Sequence, residues 1–157
     1  MALPYQRSMN ITKKGVQSGK YLDISNRDLT SLPPLDTGLL FINCENNSLT
    51  CLPKLPPNLI ELRCGKNKLT TLPELPNTLE QLYCHKNKLQ SLPTLPNSLT
   101  ELYCGKNELK ELPTLPNKLT VLHCADNPII EMPALPSSVT HMFIDVQETK
   151  HCKCNIM

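Results

Sequence analysis

The sequence predicts an α/β-class repeat fold: a right-handed solenoid of short coils, with a parallel β-sheet on its concave face and little or no helix. Three observations support this. The 157-residue chain divides almost without gaps into rows of equal length, its 15 prolines recur at regular intervals, and only 4% of its residues are aromatic. Regular proline spacing argues against low-complexity disorder, and so few aromatics are atypical of a compact globular core.

The rows share the pattern L-x-x-L-x-C-x-x-N-x-L-x-x-L-P-x-L-P-x-x. Complete rows begin at Leu39, Leu59, Leu79, Leu99 and Leu119, with a degenerate row before them from Gly19 to Gly38 and a partial row after them from Val139. A period in the twenties with this leucine and asparagine spacing is the signature of leucine-rich repeats. We therefore divide the chain into a tail or short cap over 1–18, a solenoid of about six repeats and a terminal strand over 19–146, and a tail over 147–157.

Each row begins with a short predicted strand. Leu62 and Cys64 are two positions apart, so both point inward, whereas Glu61, Arg63 and Gly65 point outward. Stacking the rows places these strands side by side in a parallel sheet that lines the concave face. No row buries its apolar face alone, so stability is expected to come from contacts between neighbouring rows.

After the strand, each complete row carries an asparagine, and its second half is rich in proline. The asparagine side chain is expected to bond backbone groups where the chain turns out of the strand. Proline fixes φ and removes a hydrogen-bond donor, so the Leu72–Pro76 segment and its equivalents disfavour a helix and favour an extended, polyproline-like convex side. The asparagines are Asn47, Asn67, Asn87, Asn107 and Asn127.

A cysteine occupies the second inward position of each complete row, which predicts a column of buried, reduced thiols and suggests a cytosolic working compartment. The rows contain no closely spaced ligand pair for zinc, and adjacent strands offer poor disulfide geometry. His123 and Cys124 are neighbours on a strand and so point to opposite faces. We therefore predict no catalytic residue, no metal, no cofactor, no small-molecule substrate and no enzymatic activity. The column comprises Cys44, Cys64, Cys84, Cys104 and Cys124.

Charge and hydropathy exclude other classes of function. The formal net charge is only +2, which predicts no binding to nucleic acid. No apolar run approaches the length of about 18 residues that a transmembrane helix needs, so no membrane span is expected. The polar stretch from Met1 to Lys20 lacks the apolar core of a secretory signal peptide.

The concave face is the predicted partner-binding surface. Four of the chain's six aromatic residues fall at outward strand positions, where folding does not require them. Tyrosine and arginine are favoured interface anchors, although aromatic residues also suit strands for their own sake. The predicted binding residues of the strands are Phe41, Asn43, Arg63, Tyr83, Tyr103, His123 and Phe143.

Lysines occupy the turns that leave the strands, at Lys66, Lys86 and Lys106, with Lys68 and Lys88 nearby. They are either a solvated edge that keeps the solenoid soluble or a basic rim that attracts an acidic partner surface. We include Lys66, Lys86 and Lys106 in the predicted partner-binding set.

The chain ends in Cys154-Asn155-Ile156-Met157, which fits the prenylation signal C-a-a-X with a terminal methionine that favours farnesyl. Asn155 departs from the aliphatic residue usual at its position. One lipid anchors weakly, so a second signal is expected, and Cys152 is the candidate for palmitoylation. The alternatives are an unmodified tail, or metal binding by His151, Cys152 and Cys154.

The rows from Leu22 to Val146 resemble the short bacterial leucine-rich repeats of effectors of the Yersinia outer protein M and Shigella invasion-plasmid-antigen H types. This resemblance implies secretion into a host cell and binding of a host protein. It has one departure in the repeat itself, because the family usually has valine or another aliphatic residue in place of Cys64 and its equivalents. The ligase branch of the family has a further catalytic domain with a Cys-x-Asp motif. Cys124-Ala125-Asp126 has these letters, but Cys124 belongs to the inward column.

A prenylation signal on such a repeat protein is similar to those of lipid-anchored effectors from intracellular bacteria such as Legionella. Bacteria do not prenylate proteins, so this signal implies a host prenyltransferase as a partner and the cytosolic face of a host membrane as the location. The alternatives are a cytoplasmic location and, for the function, a soluble substrate-recognition fragment of a ubiquitin-ligase-type effector without its catalytic domain.

Overall fold

The computed structural model describes residues 16–18 and 20–144, which form one eight-stranded sheet whose strands follow one another in chain order. The described residues contain no helix, and hence none long and apolar enough to cross a membrane. The predicted leucine-rich-repeat solenoid with little or no helix is therefore confirmed. The strands are β1 (Val16–Ser18), β2 (Tyr21–Asp23), β3 (Phe41–Asn43), β4 (Glu61–Arg63), β5 (Gln81–Tyr83), β6 (Glu101–Tyr103), β7 (Val121–His123) and β8 (His141–Phe143).

Neighbouring parallel strands pair with a constant offset of 20 residues, which is the length of one row. From β2 to β8 every neighbouring pair is parallel, and each residue faces its equivalent in the next row, as Leu62 faces Leu82. β1 differs, because it pairs antiparallel with β2 and aligns Val16 with Leu22. An antiparallel strand thus lies along the first edge of the parallel sheet.

The core is a set of columns, each filled by one position of the repeat. Within the third row, Leu59, Leu62, Cys64 and Leu69 are at most 1% exposed. Equivalent leucines and cysteines of the neighbouring rows belong to the same apolar cluster. The rows from Leu39 to Cys124 contribute similar side chains at similar depth, so burial runs continuously between them. It ends at the last strand, where Met142 is 39% exposed.

The convex side carries the proline segments without regular secondary structure, and each segment ends in a tight turn. The N–H of Leu79 donates to the Pro76 carbonyl at 3.0 Å, and Leu99 and Leu119 repeat this bond with Pro96 and Pro116. A bond with this spacing along the chain is typical of a β-turn. The turn brings the chain back to the start of the next strand, which explains how so short a row closes one coil.

The asparagine column bonds the backbone of two successive rows, as the sequence predicts. Asn107 is only 8% exposed. Its Nδ2 donates to the carbonyls of Cys84 and Cys104 at 3.1 and 2.9 Å, and its Oδ1 accepts from the N–H of Leu89 at 3.1 Å. Asn67, Asn87 and Asn127 repeat the arrangement. Each asparagine therefore gives a buried N–H of the preceding row its acceptor, and each cysteine carbonyl between two asparagines accepts a bond from both, as Cys84 does from Asn87 and Asn107.

Candidate partner-binding face

Five planar side chains stack on one another along the concave face. They are the last residues of consecutive strands, so the parallel register sets them side by side. The Arg63 guanidinium carbon lies 4.8 Å from the ring centre of Tyr83, and the Tyr83 and Tyr103 rings stack at 4.7 Å with an angle of 13°. His123 lies 6.0 Å from Tyr103 and 5.3 Å from Phe143, at 26° to each. We call Arg63, Tyr83, Tyr103, His123 and Phe143 the aromatic stack.

Stacking decides which part of each ring meets a partner. The faces of the inner rings contact their neighbours, so their edges are the accessible surface. Phe143, at the end of the stack, is 53% exposed. Stacked aromatic pairs and the cation–π contact of Arg63 both add stabilisation, so these side chains are held in place before any partner arrives.

The first rows of the face carry a different set of contacts. Phe41 lies beside Tyr21, with ring centres 6.5 Å apart, and belongs to a neighbouring column rather than to the aromatic stack. Asn43 precedes Arg63 in its column, and its Nδ2 donates to Asp23 Oδ2 at 3.3 Å. Burial opposes ionisation of Asp23, but hydrogen bonds from Ser25 and Asn43 outweigh it and lower the pKa of this carboxyl.

The glutamates of the neighbouring outward column are engaged within the face. Glu61 pairs with Arg63, and this bond is the main reason that the pKa of the Arg63 guanidinium is raised. Glu101 accepts from the Tyr83 hydroxyl at 2.9 Å and from Gln81 Nε2 at 3.2 Å. Burial, and then the bond to Glu101, raise the pKa of Tyr83. Both carboxylates therefore help to orient members of the aromatic stack.

Three exposed lysines follow the strands of the middle rows, and we call Lys66, Lys86 and Lys106 the lysine column. Their backbone is left-handed, with φ of 54°, 54° and 58°. The equivalent positions in other rows hold Asn26, Asn46 and Asp126, also with positive φ. Lys106 Nζ lies 3.5 Å from Asp126 Oδ2, and both side chains are exposed.

Two glycines allow imidazole rings to lie against the backbone of this face. Gly65, which we expected to point outward, is buried beneath the His85 ring. A Cβ at this position would lie 2.6 Å from His85 Cε1 and 3.0 Å from Glu45 Oε1. Gly105 is covered by His123 in the same way, with 2.8 Å to Nδ1. Burial lowers the pKa of His85, and although Glu45 opposes this effect, nearby lysines add to it.

Sequence reasoning did not name His85 or Tyr21 as part of this surface. The alternation of Gly65, His85 and Gly105 in one column was the available signal for His85, since a ring between two glycines has room to lie flat. Tyr21 pairs in register with Phe41, but it belongs to a row whose degenerate pattern obscured it. Tyr21 lies beside Phe41, and His85 covers Gly65 of the same face.

The cysteine column is interior, as predicted. All five thiols are buried, and burial raises the pKa of Cys44 and of Cys84 to about 12. His123 belongs to the stack on the outer face while Cys124 is 3% exposed on the inner face, so the two side chains diverge. Residues 16–18 and 20–144 contain no group of three or more potential metal ligands. The predicted lipidation residues Cys152 and Cys154 lie outside the described residues.

Comparison with known proteins places the fold among bacterial leucine-rich-repeat structures. No family model and no curated protein matches the sequence. The chain is similar to YopM from Yersinia enterocolitica WA-314, with 34% identity and a TM-score of 0.84 over 92% of this chain and 33% of that one. It is similar to the leucine-rich effector YopM from Yersinia pestis, with 38% identity and a TM-score of 0.78 over 80% of this chain and 36% of that one.

A third structure covers more of both proteins. The leucine-rich-repeat domain of a Shigella effector has 35% identity and a TM-score of 0.80, over 91% of this chain and 68% of that domain. The chain thus spans about a third of the length of the two Yersinia proteins, and about two thirds of the Shigella domain.

Proposed function

Because this chain belongs to the family of bacterial leucine-rich-repeat effectors that includes YopM and the Shigella effector, we propose that it is a binding module that recognises a host protein through its concave face. Two of these relatives are described as effector proteins, which supports delivery into a host cell. The proposed role is to recruit or block the bound protein rather than to modify it chemically.

One observation carries this proposal, namely the aromatic stack. Rings that are already stacked lose little conformational freedom when a partner contacts them, so less of the interaction free energy is spent on ordering them. Tyrosine and arginine are enriched among the residues that contribute most to binding free energy. The stack combines both residue types with a histidine and a phenylalanine on five consecutive strands.

The burial of the cysteines supports binding over catalysis. A thiol acts as a nucleophile only as its thiolate, and a pKa of about 12 for Cys44 and Cys84 leaves almost none of this form at neutral pH. The thiols also lie on the inner side of the strands, away from the surface that a partner reaches.

The double variant Tyr83→Ala, Tyr103→Ala tests the role of the concave face. We expect it to weaken capture of the specific partner from eukaryotic lysate by about 1000-fold, because each of the two interface anchors is worth about 2 kcal/mol. The measurement is affinity capture with quantitative mass spectrometry, followed by titration of the partner identified with wild-type protein.

The matched control is Thr94→Ala, Thr114→Ala, which changes two exposed convex residues of the same two rows. Its captured proteins should equal those of wild type, and circular dichroism should show that both variants keep their fold. Equal capture by the tyrosine variant and by wild type would show that the partner binds elsewhere.

We also propose that Cys154 carries a prenyl group and Cys152 a second lipid, which would hold the protein on the cytosolic face of a host membrane. The support is the terminal C-a-a-X signal together with an effector family that works where prenyltransferases are present. A single lipid gives only marginal membrane binding, so the second cysteine is needed for stable attachment.

The variant Cys154→Ser tests the anchor in eukaryotic cells expressing a fluorescent fusion. We expect wild type to sediment with membranes and Cys154→Ser to spread through the cytosol, since the thioether bond cannot form on serine. Cys51→Ser, at an exposed cysteine of the solenoid, is the matched control and should behave as wild type. A wild-type protein without the added mass of an isoprenoid would refute the proposal.

A further inference from the structure

We propose that the lysine column receives the acidic stripe of an α-helix on the partner, an inference that rests on the proposed binding role of the concave face. Four features carry it: the backbone conformation of these lysines, the engagement of the nearby carboxylates, the spacing of the rows and the adjacent aromatic stack.

The left-handed backbone conformation of these turns does not favour lysine, so the turn geometry does not explain why lysine is present. Left-handed φ is costly for residues with a Cβ, and asparagine and aspartate tolerate it best apart from glycine. The outer rows follow that preference with Asn26, Asn46 and Asp126. The three lysines do not, and their exposed side chains add nothing to the core. A non-glycine residue held in a costly conformation at a surface motivates the hypothesis of a role in binding.

The charges of the face leave the lysine column available to a partner. Glu61 is paired with Arg63, and Glu101 accepts two hydrogen bonds from within the face. Within residues 20–144, Lys66 and Lys86 form no ion pair, and the contact of Lys106 with Asp126 is solvent-exposed, where such pairs are weak. Like charges on successive rows repel one another, so the column is best neutralised by acidic groups from outside.

The spacing of the rows selects a helix over a strand. Adjacent parallel strands lie about 4.8 Å apart, so the three lysines span about 10 Å. Helix positions i, i+4 and i+7 lie on one face and also span about 10 Å along the helix axis. Alternate residues of an extended strand are about 6.7 Å apart, so three of them span about 13 Å and fall out of step with the lysines.

The aromatic stack lies beside the lysine column on the same rows. Arg63, Tyr83 and Tyr103 each stand three positions before a lysine of the column. When the acidic stripe of a partner helix lies along the lysine column, the adjacent stripe of that helix therefore lies against the exposed ring edges of the aromatic stack. The partner helix is then acidic on one stripe and apolar on the adjacent one.

Binding of synthetic peptides to the full chain tests this assignment by fluorescence anisotropy at low ionic strength. The first probe is a labelled alanine-based helix with glutamates at i, i+4 and i+7 and leucines on the adjacent stripe. The second has the same glutamates and leucines at alternate positions of a proline-containing extended peptide. The third is a vesicle of phosphatidylcholine and phosphatidylserine. We expect the helix to bind about tenfold more tightly than the extended peptide, and more tightly than the vesicle.

The variant Lys66→Asn, Lys86→Asn, Lys106→Asn removes the three charges. It replaces each lysine by asparagine, the residue found at the equivalent positions 26 and 46. We expect it to melt no lower than wild type and to bind the helix about tenfold more weakly. Lys54→Asn, Lys110→Asn, Lys118→Asn removes the same charge from exposed lysines elsewhere, and it should bind as wild type does.

Equal binding of the extended peptide, preference for the vesicle, or unchanged helix binding by the column variant would each overturn the assignment. A column variant that melts lower than wild type would also overturn it, since the lysines would then serve the fold. If the assignment fails while capture still depends on Tyr83 and Tyr103, the proposed function stands. If capture does not depend on these tyrosines, the proposed function fails.

Discussion

Replacing Asn107 by alanine is expected to lower the free energy of unfolding by about 2–4 kcal/mol, because the buried N–H of Leu89 loses its acceptor and two buried carbonyls each lose one of their two donors. The carbonyls of Cys84 and Cys104 each lose the Asn107 bond but keep one from Asn87 and Asn127, respectively, whereas the N–H of Leu89 loses its acceptor. A buried polar group left unpaired costs about 1–3 kcal/mol, and the alanine cannot replace any of the bonds. A typical domain is stable by only about 5–15 kcal/mol, so the variant should lose a large share of the chain's stability.

Urea denaturation followed by circular dichroism measures this effect. Asn117→Ala is the matched control, since Asn117 is exposed on the turn of the same row and should change stability by less than about 0.5 kcal/mol. Asn107→Asp keeps the acceptor for Leu89 but directs a carboxylate at two carbonyls, so it should also be strongly destabilised at neutral pH. A loss below about 1 kcal/mol for Asn107→Ala would mean that water replaces the amide.

Raising the pH from 7 to 10 is expected to remove about 5 kcal/mol of stability, through the cysteine column. Burial raises the pKa of Cys44 and Cys84 to about 12, and that of Cys64 and Cys104 well above the ordinary value of 9.0. In the unfolded chain these thiols ionise from about pH 9, whereas in the folded chain they stay protonated. The unfolded state therefore binds fewer protons, and stability falls by up to about 1.4 kcal/mol per thiol per pH unit.

Equilibrium unfolding at pH steps between 7 and 10 tests the sign and size of this effect. Cys84→Ala should show a shallower decline, by about 1 kcal/mol at pH 10, whatever its stability at pH 7. The pKa values of Tyr21 and Tyr83 are also raised, mainly by burial, but an unfolded tyrosine is only half ionised at pH 10, so each adds less than about 0.5 kcal/mol to the decline. Unchanged stability across the window would show that the thiols are not held away from solvent.

The periodic part of the structure could be predicted because each repeat position performs the same task in every row. Inward Leu62 and Cys64, the bonding of Asn67 and the absence of helix in the proline segment follow from alternation along a strand, from amide chemistry and from the fixed φ of proline. None of these predictions needs a contact between rows to be known beforehand.

The details of the binding face depend on contacts between rows, so the sequence did not reveal them. The pattern placed Tyr83, Tyr103 and His123 on one column, but their stacking distances depend on the rotamers that neighbours leave open. Gly65 has no side chain, so alternation along the strand could not show that His85 covers it. Likewise, lysine gives no turn signal, and the left-handed conformation of Lys66 becomes visible only through its equivalence with Asn46.

The same hydrogen bonds recur in each row, shifted by 20 residues, and this repetition allows the solenoid to vary in length. Asn87 serves Leu69 and the carbonyl of Cys64, and Asn107 serves Leu89 and that of Cys84, so one asparagine can stand in for the next. When one whole row is deleted or duplicated in the gene, every remaining asparagine therefore still finds its hydrogen-bonding partners in the neighbouring row. A shift by a single position would turn leucines outward instead. Evolution can thus shorten or extend the recognition surface in whole rows, each bringing one complete set of outward side chains.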